Sequence, residues 1–189
     1  MTPAGRKAKP VVQAHTTISK LCVAQAIGAK SNGRLHIGQA SIPCRLGPGG
    51  VAHDKREGDG ATPAGHFRLA RALYRANSGM RLPRAVPSRP IRKDDIWCDA
   101  SGHGQYNRPG RLPFAPSHER LWREDHLYDL VFVLDYNLRP RAQGRGSAIF
   151  FHLERDRSSA TAGCVAVSAA AMRRLAPRLG KGVTMRIRR

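Results

Sequence analysis

A histidine and a cysteine, His152 and Cys164, stand with eleven residues between them in the stretch AIFFHLERDRSSATAGCVAVS, residues 148–168. A thiol becomes a nucleophile when a base lies within hydrogen-bond reach and donors face the oxyanion that forms. Gly163, next to the small Ala162, permits a tight turn in which successive backbone N–H groups converge on one point. His152 ends an apolar run, where a strand would hold its ring rigidly and a backbone carbonyl could orient its second nitrogen. Such a pair could exist as thiolate and imidazolium. The same residues also fit a buried structural thiol beside a hydrogen-bonded core histidine, and spacing alone leaves both readings open. Glu154 and Asp156 are the nearest acids, and neither is an obvious third member.

The elements that must position this pair read as mainly β with short helices. Residues 147–153 form a strand with Ala148, Phe150 and His152 on one face and Ile149, Phe151 and Leu153 on the other. LYDLVFVLDYN, residues 127–137, is a buried strand followed by a turn. RLHIGQASIPCRLG begins strand-like alternation at Leu35, and GPGG closes that unit. REGDGATPAGHFRL is a glycine-rich loop entering a short strand at 66–70, with Asp59 and Thr62 stabilising the turn and His66 without a chemical role. Residues 76–120 are dense in Pro and Gly, and their aromatics point to packing against a body rather than disorder. Ser168 reads as the N-cap of a helix in AAAMRRLAPRLG, with Gly180 as its stop and Pro177 able to end it early. GVTMRIRR closes the chain as an alternating strand.

Composition bounds the rest. With 189 residues, 41% of them hydrophobic, the chain supports a basic tail over 1–20 and one folded domain over 21–189. The 33 Lys+Arg against 13 Asp+Glu give a formal charge of +20, with no acid before Asp54 or after Asp156. That excess draws a protein towards polyanions without naming one. No window has the length of a membrane span. No clear signal peptide is read either: LCVAQAIGA, residues 21–29, is short and begins late. Cys22, Cys44, Cys98 and Cys164 are widely spaced without a C-x-x-C pair, which disfavours a structural zinc site.

HLERDRSSATAGCVAVS resembles the active-site signature of the L,D-transpeptidase catalytic domain family (YkuD-like) at His152, Thr161, Gly163, Cys164 and Val165. REGDGATPAGHFRL and SHERLWREDHLYDLVFVLDYN resemble two further segments of the family, in order and at fitting distances from about Leu35 to the C-terminus. The chain departs from the common form at Ala162, where His or Arg is usual, and at Ala166, where a polar residue is usual. The resemblance implies the family's β-sandwich-like fold of mixed sheets and a peptidoglycan stem-peptide substrate in the periplasm or cell envelope. It implies no metal and no cofactor. Cys164 would be the nucleophile and His152 its base, with the Gly163 and Cys164 N–H groups as oxyanion hole. Thr161, His126, Tyr128, Trp122 and Arg120 are the further candidates for substrate contact.

The reaction so implied is a 3→3 cross-link formed through a Cys164 thioester with release of terminal D-alanine. A basic groove would attract stem carboxylates, and anionic envelope polymers are possible partners. Hydrolysis of the same thioester would make the protein an L,D-carboxypeptidase or another thiol amidase. A nucleic-acid binder is the rival from charge alone, and none is expected as partner, because the basic ends carry no aromatics before Phe67 or after Phe151.

Overall fold

The run LVFVL is apolar at every position because both its faces are covered. In the computed structural model, which describes residues 16–156 and 158–189, it is one of fourteen strands. These are β1 (Ile18–Ala26), β2 (Ala29–Ile37), β3 (Ala40–Arg45), β4 (Val51–Ala52), β5 (Thr62–Pro63), β6 (Gly65–Tyr74), β7 (Ser88–Pro90), β8 (Asp95–Cys98), β9 (Arg108–Arg111), β10 (His118–Arg120), β11 (Leu130–Leu134), β12 (Phe150–Leu153), β13 (Val165–Val167) and β14 (Leu179–Arg188). One α-helix among the described residues, α1 (Ala169–Leu175), precedes a 3-10 turn at Ala176–Arg178.

The main sheet has the order β11-β12-β13-β3-β2-β1-β14-β6-β7, and β11 also pairs with β6, so the sheet returns on itself. It is mixed: β1–β14, β12–β13 and β6–β7 are parallel, while β1–β2, β2–β3 and β11–β12 are antiparallel. The chain is thus mostly β with mixed sheets and one short helix, the class its sequence indicated. Residues 76–120 supply a separate three-stranded sheet, β10-β8-β9.

Two apolar cores lie on opposite faces of β11 and β12. Leu130, Phe132, Leu134, Phe151 and Leu153 enter the larger. Val131, Val133 and Phe150 enter the smaller, with Leu73, Trp97, Tyr128 and Cys164. Each fully buried side chain of this size contributes about 1.5–3 kcal/mol relative to exposure. The smaller core therefore anchors the three-stranded sheet to the main one, chiefly through Trp97 edge-on to Phe150 at 5.4 Å.

Several boundaries move. β1 begins at Ile18, which is buried, so the last residues of the expected basic tail are strand; residues 1–15 of that tail lie outside the described residues. The strand expected over 147–153 starts at Phe150, because Ala148 takes φ +51° and breaks the extended run. Ser168 caps α1, its Oγ accepting from the Ala171 N–H at 3.2 Å. Gly180 is not the helix stop. Pro177 falls in the 3-10 turn after the helix, and Gly180 already belongs to β14. No helix among the described residues is long and apolar enough to cross a membrane.

Candidate functional site

Parallel pairing of β12 with β13 brings the histidine and the cysteine together. The register sets Phe151 against Val165 and His152 against Ala166. Cys164, one residue before β13, therefore stands level with Phe150 and one step from His152 on the same face. Both line a single cavity of about 340 Å³.

Each group is held by backbone. The His152 Nδ1 lies 2.8 Å from the Leu153 carbonyl. A carbonyl only accepts, so Nδ1 carries the proton and Nε2 is the basic nitrogen. The Tyr128 and imidazole rings meet nearly at right angles, 5.2 Å between centroids. The Cys164 thiol donates to the Ala148 carbonyl at 3.2 Å and accepts from the Phe150 N–H at 3.3 Å. Ala148 is itself fixed by Asn107, whose Oδ1 accepts from its N–H at 3.1 Å and from Trp97 Nε1 at 2.9 Å. The amide nitrogen of Asn107 donates to the carbonyls of Tyr136 and Asn137. This fully partnered, buried amide fixes the loop whose carbonyl accepts the thiol's hydrogen bond.

Electrostatics fix the resting state. Burial pushes the Cys164 thiol from 9.0 up to about 12, opposed by the Phe150 N–H and more weakly by Lys55. Burial also pushes the His152 imidazole from 6.5 down to about 4, against the Leu153 hydrogen bond. Both groups rest neutral in the one cavity, and not as the ion pair the sequence allowed. The reason is desolvation: the cysteine is 7% exposed and the histidine 5%, too buried for charge separation without a substrate.

The turn before the thiol is tight. Gly163 has φ +130°, and a Cβ there would sit 2.7 Å from the Ala61 carbonyl oxygen, so only glycine fits without strain. Two hydroxyls hold the Cys164 carbonyl, Thr161 at 2.8 Å and Thr62 at 3.4 Å. Thr62, wholly buried, also accepts the Gly47 N–H at 2.9 Å, and Thr161 accepts the Gly163 N–H at 3.2 Å.

The cavity's charged lining is not the basic groove expected. Lys55, Arg123 and Arg155 face Glu57, Asp99, Glu119 and Glu154, three cations against four carboxylates. Lys55 is buried and bonds Asp59 and the Arg56 carbonyl. Glu57 accepts from Tyr106 and, at 2.8 Å, from Ser147. On the far wall Glu119 Oε1 accepts from Tyr128 at 3.0 Å and from Arg123 at 3.1 Å. Arg123 also pairs with Asp125, which Arg155 contacts at 2.9 Å.

Of the expected contact residues, Tyr128 and Thr161 line this cavity beside Cys164 and His152. His126, Trp122 and Arg120 do not. His126 is exposed and faces the Asp129 carboxylate, Trp122 lies beneath the Arg75 guanidinium at 4.4 Å, and Arg120 is exposed on β10. The missed lining residues come mostly from distant segments. Glu119 had a local signal, since on a strand it shares a face with the apolar Leu121 two residues on. A second hollow of about 390 Å³, near β7 and β9, is lined by Arg89, Arg92 and Arg111 and contains neither His152 nor Cys164.

A family model described as the L,D-transpeptidase catalytic domain, YkuD, matches residues 30–187. The chain belongs to the L,D-transpeptidase catalytic-domain family. Comparison with curated proteins and with solved structures gives no match. The match places the domain among enzymes of peptidoglycan, a family generally associated with the cell envelope. It spans β12, the turn at Gly163 and β13, the three pieces that hold the two candidate catalytic side chains.

Proposed function

We propose that this L,D-transpeptidase-family domain uses Cys164 to form 3→3 cross-links between peptidoglycan stem peptides. The observation that carries the reading is the seating of a proton-holding thiol and an Nδ1-anchored imidazole in one cavity. As substrate enters, the thiol proton passes to His152 Nε2 while sulfur attacks the carbonyl of the diamino acid at stem position three. The neutral resting pair makes this transfer part of the attack and not a step before it. The C–N bond to terminal D-alanine then breaks, His152 returns the proton to the leaving amine, and a thioester remains. The amine of a second stem attacks the thioester, giving its proton to His152, and sulfur leaves as the thiol is restored. Backbone N–H groups of Gly163 and Cys164 receive the oxyanion, that of Gly163 turning from Thr161 to do so.

The domain acts in the periplasm or cell envelope, where its +20 charge favours contact with anionic polymers. Intact-protein mass spectrometry with purified disaccharide-tetrapeptide tests the reading, with Cys164→Ala alongside. The expected result is an adduct equal to the stem without its last D-alanine, on wild type only. Dimeric muropeptide in the same tube makes the domain a transpeptidase, and free tripeptide alone makes it a carboxypeptidase. A reduced thiol that gives neither adduct nor turnover would end the proposal.

A further inference from the structure

One cation approaches the turn of the nucleophile from inside the protein. Lys55, between β4 and β5, is 3% exposed and lines the same cavity as Cys164 and His152. A lysine is almost never buried so deeply without a partner. Its aliphatic stem lies against two glycines at positive φ, Gly146 at +94° and Gly163 at +130°. A Cβ at Gly146 would sit 2.9 Å from the lysine Cγ and 3.2 Å from its Cε. A Cβ at Gly163 would sit 3.6 Å from the same Cε, the carbon that bears the charged nitrogen. The glycine that shapes the Cys164 turn therefore also lets the lysine pass beside it.

The charge is held in place. Nζ donates to Asp59 Oδ1 and, at 2.7 Å, to the Arg56 carbonyl. An ammonium has three N–H donors, so one is left without a partner among the described residues. Asp59 is itself fixed by the Arg56 N–H at 2.7 Å and the Ala61 N–H at 2.8 Å, and it does not line the cavity. The two arginines of the lining are more exposed and serve the opposite wall, Arg123 with Asp125 and Glu119, Arg155 with Asp125. At the thiol itself, burial opposes ionisation and the Phe150 N–H favours it; of the charges, Glu119 opposes and Lys55 favours it.

We infer that Lys55 is a positioning residue for acyl transfer, its buried ammonium held behind the Gly163–Cys164 turn where negative charge develops. This rests on the acyl-transfer reading above. The lysine keeps its proton throughout. As sulfur bonds to the stem carbonyl, the thiol proton goes to His152 and the carbonyl π pair moves onto oxygen. A cation fixed in a dry wall acts more strongly on that charge than one in water, and it needs no reorganisation during the step. The rival is a purely structural lysine that ties down the 56–61 loop through Asp59.

The test uses Lys55→Met, Asp59→Asn and Lys55→Met/Asp59→Asn, the last replacing the whole pair with neutral groups of similar shape. Iodoacetamide alkylation of Cys164 at pH 8 needs no turnover. It is expected to slow about tenfold in both variants without the lysine, the effect of one pK unit on the ionised fraction. In Asp59→Asn, which keeps the ammonium, it is expected to hold or quicken. Thioester formation at saturating disaccharide-tetrapeptide is expected to fall about a hundredfold in both lysine variants, with the half-saturating concentration unchanged. Should Lys55→Met alone not fold, the double variant carries both readouts. A loop anchor predicts the opposite sign, because breaking either half of the pair frees the same loop, admits water to the thiol and speeds alkylation in all three variants. Alkylation at or above the wild-type rate without the lysine, slowing shared equally by Asp59→Asn, or undiminished thioester formation overturns the proposal. A wild type that forms no thioester, with alkylation slowed only where the lysine is gone, would instead count against the acyl-transfer reading and leave the ammonium acting on the sulfur.

Discussion

The neutrality of the resting pair predicts how Cys164 reacts with a small electrophile as pH changes. The thiolate, and not the thiol, is the nucleophile. Moving the thiol from 9.0 to about 12 lowers its ionised fraction at pH 7 from roughly one part in a hundred to roughly one in a hundred thousand. Alkylation should therefore run about a thousandfold slower than at an unperturbed thiol, before any steric shielding is counted. Shielding slows the reaction at every pH alike, so the slope is the decisive quantity. Iodoacetamide rates at Cys164, resolved from Cys22, Cys44 and Cys98 by peptide mass mapping, should rise about tenfold per pH unit from about pH 6 to pH 10. No plateau should appear in that range. Because Glu119 raises the thiol through its charge, Glu119→Gln should shift the whole line towards faster alkylation. A plateau between about pH 5 and pH 8 would mean a standing thiolate–imidazolium pair, and the argument from burial would be refuted.

Four further outcomes are expected. His152 is depressed from 6.5 to about 4, so its contribution to stability is complete above pH 6.5 and is lost as pH falls through 4. The loss should reach about 3 kcal/mol, read as the difference in urea unfolding between wild type and His152→Gln across that window. Cys164 acts on the alkaline side, where its contribution is complete below pH 9 and is lost as pH rises towards 12. Thr62→Val keeps the shape of a wholly buried side chain but strips the Gly47 N–H of its acceptor. It should cost about 1–3 kcal/mol in denaturant melts, and a cost below about 0.5 kcal/mol would contradict the assignment. Gly163→Ala forces a Cβ against the Ala61 carbonyl at positive φ. It should cost at least about 2 kcal/mol and suppress thioester formation, whereas an active, undiminished variant would show that the turn needs no glycine.

Local pattern made much of the fold legible. The uninterrupted run LVFVL reads as a strand covered on both faces, and its residues divide between two cores as alternation requires. Ser168 reads as a helix cap because a hydroxyl before AAAMRRL can bond an otherwise orphan N–H, and it does. Gly180 misled because a glycine after a helical run is a common stop, yet here Pro177 comes first and the chain goes straight into β14. His126, Trp122 and Arg120 lie close in sequence to Tyr128, but the backbone at His126 takes φ +61° and its ring faces Asp129 instead of the cavity.

Sequence by itself determined the two candidate catalytic side chains, the glycine turn beside them and the mainly β class, because each depends on residue type and near-neighbour spacing. Tertiary structure alone decided that the two groups rest uncharged and that the hollow around them is acidic within a basic protein. Desolvation depends on every atom packed around a group, and no local pattern records it. Asp99 and Glu119 become neighbours through pairing of two strands twenty residues apart, and Lys55 and Glu57 reach the same cavity from more than a hundred residues before Cys164. Their charges meet only where the chain has folded them together.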